Sequence, residues 1–116
     1  YYKNLNREKF KKFWKPYCDN VSVAAAVERW DTYNNKPELD NLSPCSFLWD
    51  RMYVWFDGKC NPCDADYKSY LSYGDASKED LKQIWNGKKI NNLRKLHLEK
   101  NRTKVVPCDR CGMAFN

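Results

Sequence analysis

Apolar residues recur along this 116-residue chain with two different periods, and the changes of period mark its elements. Phe10, Phe13 and Trp14 share one face of a helix predicted over residues 6–15, with Asn6 as its N-cap and Pro16 as its stop. Residues 21–27, where Ser and Ala sit between valines, predict a buried strand. Residues 34–44, rich in Asn, Pro and acidic side chains, predict a linker. Beyond it, residues 52–56 and 59–62 flank Asp57-Gly58, a dipeptide suited to the positive φ angles of a tight hairpin turn. A helix is expected to open at Ser77, with Asp80 as the third position of a weakened capping box and Leu81, Ile84 and Trp85 as its apolar face. Asn86-Gly87 ends it, and a second helix carrying Ile90, Leu93 and Leu96 or His97 runs to about Lys100. The fold class is α+β: a β-hairpin with two following helices, preceded by a helix and strand that read either as the last step of an α/β barrel or as part of the same domain.

Composition makes this a folded chain: 42% of residues are hydrophobic, and five Trp, eight Tyr and five Phe exceed what a disordered segment carries. A core of this size is modest, so a bound metal, whose binding then is part of folding, would help to hold it. There is no export signal and no apolar stretch long enough to span a bilayer, so a cytoplasmic protein without a membrane partner is expected. The opening Tyr1-Tyr2, without an initiator Met, predicts a piece of a longer chain.

The net charge of +6 is uneven: residues 1–15 carry six basic and one acidic side chains, residues 86–104 seven and one, and the remainder is acidic. Two basic helices offer a surface for an anionic partner such as nucleic acid, a sugar nucleotide or an acidic peptide. The plainer reading is that Lys and Arg solvate the outer faces of the helices, which argues against nucleic acid. Trp49, Tyr53 and Trp55 offer stacking surfaces, but in a strand-turn-strand unit such rings usually pack the core.

The cysteines carry the chemistry. Of six, four stand as Cys60-Asn-Pro-Cys63 and Cys108-Asp-Arg-Cys111, a spacing that lets two thiolates reach one metal centre. Two such pairs read directly as a structural zinc site. Against that, the backbone N–H groups after the first cysteine of such a pair usually support its sulfur, and Pro62 has none to give. If the strand continued through Cys63, Cys60 and Cys63 would also point to opposite faces. Cys60 is therefore the alternative ligand, and Cys45 upstream competes with it. Three disulfides would need an oxidising compartment, for which no export signal is visible. Cys18 lies outside both motifs and is expected to be a buried apolar residue.

The order Cys45-x12-Gly58-x4-Cys63, a 44-residue gap and Cys108-x2-Cys111 resembles the C-terminal auxiliary iron–sulfur domain of radical S-adenosylmethionine enzymes, of SPASM or twitch type. Further blocks in that order are Tyr53-Val54-Trp55, Asp64-Ala65-Asp66-Tyr67, Tyr73-Gly74-Asp75, Trp85-Asn86, Leu93-Arg94 with His97, and Pro107. The resemblance implies that Cys45, Cys63, Cys108 and Cys111 hold one auxiliary 4Fe-4S cluster, with zinc able to take its place. It divides the chain into residues 1–36, a barrel remnant, residues 37–44, a linker, and residues 45–116, the cluster domain. It also implies a partner, the S-adenosylmethionine-binding barrel of the same parent chain, and a substrate that is a peptide, a small molecule or a sugar.

The Cys-x3-Cys-x2-Cys triplet of the activating cluster is missing, as are a Gly-rich phosphate loop, a Gly-x-Ser-x-Gly elbow and a His-Glu-x-x-His helix. The one histidine, His97, reads as a surface or half-buried helical residue rather than a base. No catalytic residue is expected on this chain, and S-adenosylmethionine is expected only in the barrel that the resemblance implies.

Overall fold

The computed structural model describes residues 6–23, 31–37, 40 and 42–111. Helix α1 (Arg7–Trp14) forms as its sequence predicts, with the Asn6 carboxamide oxygen accepting from the Lys9 N–H at 3.0 Å. It buries none of its residues. Phe10, Phe13, Trp14 and Tyr17 instead stack on one another, Phe13 meeting Trp14 edge-on at 5.1 Å. The strand predicted over residues 21–27 falls mostly outside the described residues, and residues 21–23 have no regular structure.

The centre of the molecule is a three-stranded antiparallel sheet, β1 (Tyr53–Val54), β2 (Lys59–Asn61) and β3 (Gly74–Asp75), with β2 in the middle. Tyr53 pairs with Asn61 and Val54 with Cys60, and on the other side Cys60 pairs with Gly74. Gly58, at φ +86°, makes the predicted hairpin turn, a backbone angle that costs a side-chain-bearing residue about 1–2 kcal/mol. The third strand is not legible in the sequence because it is only two residues long. Gly74 is needed in it: a Cβ there would come within 2.5 Å of Ile84 Cγ2.

Helices α3 (Leu81–Trp85) and α4 (Lys88–Leu98) fold back over the sheet. The first starts later than predicted. Asp80 is itself the N-cap, accepting from the N–H groups of Lys82 and Gln83, while Ser77 belongs to a turn in which it donates to the Asp75 carboxylate at 2.6 Å. Asp80 wins because its carboxylate reaches two orphan donors at once. A further helix absent from the prediction, α2 (Phe47–Asp50), precedes the hairpin. Arg94 on α4 holds it in place: Nε donates to the Leu48 carbonyl at 2.9 Å, Nη1 to the Trp85 carbonyl at 3.0 Å, and the guanidinium lies 4.4 Å over the Trp85 ring.

Leu48, Cys60, Tyr73, Ile84, Ile90, Leu93 and Val105 form the buried core, which therefore sits between the sheet, α2 and the two long-range helices. Trp49, expected there, is exposed, and Tyr53 and Trp55 are half-buried. Thr32 is buried and the Tyr33 ring packs edge-on against Tyr67 and Tyr70 at 5.0 Å, so residues 32–33 dock onto the loop between β2 and β3. No helix among the described residues is long and apolar enough to cross a membrane.

Candidate metal centre

Three stretches of chain bring their cysteines toward one region. Cys45 stands immediately before α2. Its carbonyl accepts from the Leu48 N–H at 3.2 Å, and the Phe47 N–H is aimed at its sulfur. Its own N–H donates to Nδ1 of His97 on α4 at 3.3 Å. The start of α2 and the last turns of α4 thus fix the position of Cys45 from two directions.

Cys63 follows β2, which ends at Asn61, and opens the loop to β3. Asp66 organises that loop: its buried carboxylate accepts from the N–H groups of Tyr70 at 2.9 Å and Leu71 at 2.8 Å and from the Tyr33 hydroxyl. Asn61 closes the loop from within, donating to the Asp66 carbonyl at 3.1 Å and to Ser69 Oγ at 2.9 Å. The loop turns so that the N–H groups of Ala65 and Asp66 point at the Cys63 sulfur. These are the donors that Pro62 denies to Cys60.

Cys108 and Cys111 bracket a single 3-10 turn, Cys108–Arg110, started by the Asp109 N–H donating to the Val105 carbonyl at 2.8 Å. The turn is fastened by Arg102, which is only 2% exposed. Its Nε donates to the Cys108 carbonyl at 3.2 Å, Nη2 to the Cys111 carbonyl at 3.0 Å and Nη1 to the Ser43 carbonyl at 3.2 Å. One guanidinium therefore joins the tail pair to the stretch that carries Cys45.

The thiols of Cys45, Cys63, Cys108 and Cys111 act on one another electrostatically. Burial comes first among the causes that raise the Cys45, Cys63 and Cys108 thiols, pushing Cys63 up to about 12. Nearby thiols raise Cys63 and Cys108 further, while the Arg102 charge lowers Cys45 and Cys108. Cys60 is separate. It is wholly buried in the core, its Sγ donates to the Gly58 carbonyl at 3.6 Å, and the charges that reach it are those of Asp75 and Glu79. Among the described residues, no three His, Cys, Asp or Glu side chains converge as closely as a single metal ion requires.

Two expectations are overturned. Cys18 is exposed rather than buried, and its Sγ donates to the Trp14 carbonyl at 3.0 Å, at the end of a helix that buries none of its own residues. His97 is 0% exposed rather than at the surface. Ile90, Leu93 and His97 fall three and four residues apart on the buried face of α4, a spacing already visible in the sequence. Burial first, then the Arg102 charge, hold His97 down to about 4, so it is neutral at neutral pH. Since Nδ1 accepts from Cys45, the ring proton is on Nε2, which is buried and has no hydrogen-bond partner among the described residues. Arg102 lay hidden in the basic run of residues 86–104, where a charge pattern points to solvent.

Four thiols from three stretches of chain, with N–H groups aimed at two of the sulfurs and a buried N–H still to be satisfied, form a donor set that fits an iron–sulfur cluster. The fold and this cluster of thiols define a small cysteine-rich α+β domain. The sequence model of SPASM, described as an iron-sulfur cluster-binding domain, matches residues 45–112, which is more than half of the chain. The chain belongs to that family and its domain binds iron–sulfur clusters. Neither curated proteins nor solved structures give a match to it.

Proposed function

We propose that Cys45, Cys63, Cys108 and Cys111 are the ligands of one auxiliary 4Fe-4S cluster, and that the chain is the C-terminal cluster domain of a radical S-adenosylmethionine enzyme. The observation that carries this reading is geometric: His97 and Arg102 tie the Cys45 stretch to α4 and to the Cys108–Cys111 turn, while Cys60 stands apart in the core. The match to an iron-sulfur cluster-binding family supports a cluster over zinc.

In this reading the hairpin, the Asp66 loop and the tail turn hold the four sulfurs in place before the metal arrives. The aimed N–H groups of Phe47, Ala65 and Asp66 favour the thiolate form that binding needs. When bound, the cluster would supply a one-electron redox centre or help to orient substrate. The barrel of the parent chain, a reducing cytoplasmic setting and a peptide, small-molecule or sugar substrate are parts of the same proposal. Residues 1–36 as a barrel remnant and 37–44 as a linker belong to it as well.

Anaerobic reconstitution with iron and sulfide tests it, read by the sulfur-to-iron charge-transfer absorption and by iron and sulfide analysis. Cys45→Ala is expected to lose the cluster and Cys60→Ala to keep it. The reverse result would remove Cys45 from the ligand set.

A further inference from the structure

Arg102 is a charged side chain in a place where charge is expensive. A guanidinium that is 2% exposed carries a charge whose burial must be offset by acceptors and by nearby negative charge. Carbonyls of Ser43, Cys108 and Cys111 are among its partners, so the fork spans the stretch before the first ligand and both members of the last pair. Its charge reaches the sulfurs of Cys45 and Cys108. Exposed basic residues of the same run, such as Lys104, lie in solvent where water screens them.

We propose that Arg102 is a positioning residue for the cluster, tying the Cys45 stretch to the Cys108–Cys111 turn and, as a fixed buried cation, favouring the reduced over the oxidised cluster. The inference rests on the ligand set proposed above. A four-thiolate cluster is anionic and becomes more negative by one charge when a dithionite-type reductant gives it one electron; no bond forms or breaks. A cation held nearby in a medium of low polarity stabilises the more negative state more strongly. Reduction is therefore easier with Arg102 in place.

The test is a redox titration of the reconstituted 116-residue chain, wild type against Arg102→Gln, Arg102→Lys and Lys104→Gln, with iron content and thermal unfolding measured alongside. Arg102→Gln is expected to shift the relative stability of the reduced cluster down by about tenfold, which is 59 mV for a one-electron couple. Arg102→Lys keeps the charge but not the fork, so the potential stays near wild type while the unfolding temperature drops. Lys104→Gln moves neither. Should Arg102→Gln fail to load iron, the lysine variant still decides, because it keeps the charge and loses the fork. A potential in Arg102→Gln equal to wild type, or one in Arg102→Lys as low as that tenfold loss would make it, overturns the role of the charge. Wild type without iron and sulfide would instead overturn the ligand set, a separable failure.

Discussion

The backbone N–H of Cys45 donates to Nδ1 of His97 across 52 residues of sequence, at 3.3 Å. That bond joins the stretch ahead of α2 to the last turn of α4, and it fixes the tautomer of a fully buried ring. Replacing His97 with Ala should leave a cavity and an unpaired buried donor. The expected loss is about 2–4 kcal/mol of stability in urea unfolding of the metal-free chain, with a lower cluster yield on reconstitution. His97→Asn, whose side-chain oxygen can accept in place of Nδ1, should recover part of it. If the Ala variant unfolds at the wild-type midpoint, the bond has no role in holding Cys45.

Cys60 and Cys45 should separate stability from metal. Cys60→Ala removes a side chain from the core without touching the other thiols, so it should retain iron while losing about 1–2 kcal/mol. Unfolding curves and iron analysis on the same sample check both halves. An iron-free Cys60→Ala that is still folded would count against the assignment.

Gly74 touches Ile84 so closely that Gly74→Ala must push one of them aside, at a cost of about 1–3 kcal/mol. The mechanism is specific to that pair. Ile84→Ala removes both Cγ atoms that obstruct it, so the double variant should be less destabilised than the two single losses added together. Strict additivity would place the cost elsewhere.

Three tyrosines should titrate late, Tyr67 through its bond to the Asp31 carboxylate and two others later still. Burial, followed by the bond to the Asp66 carboxylate, raises Tyr33, and burial pushes Tyr73 up to about 12, against an ordinary value of 10.0. For a group raised on folding, the stabilising contribution is full below the unfolded pKa and is lost as pH climbs from there through the folded value. Stability should therefore fall from about pH 10 upward. Difference absorption of phenolate should report two rings ionising after the others, together with unfolding. Tyr33→Phe should remove one of them; eight rings ionising together near their ordinary value would refute it.

The sequence made the hairpin legible because Asp57-Gly58 has a strong local meaning, and α1 and α4 because each has a cap or an apolar stripe of its own. What it hid is non-local. The two residues of β3 hold no pattern, and they pair only because Gly74 lets Ile84 close over β2. The start of α3 was misplaced since Ser77 and Asp80 both suit a cap, and only the turn around Asp75 decides between them. His97 and Arg102 were read by their polarity, which points outward. Their burial follows from carbonyl and N–H groups that arrive from other parts of the chain.

Of the six thiols, Cys18 alone stands in solvent, four residues beyond a helix that buries nothing. It is thus the position that a maleimide reaches first, and in air it is the point where two molecules would crosslink. A spin label attached there leaves the four clustered thiols and the core untouched. The same exposed sulfur then becomes a fixed vantage from which the distance to a paramagnetic metal centre can be measured in the loaded protein.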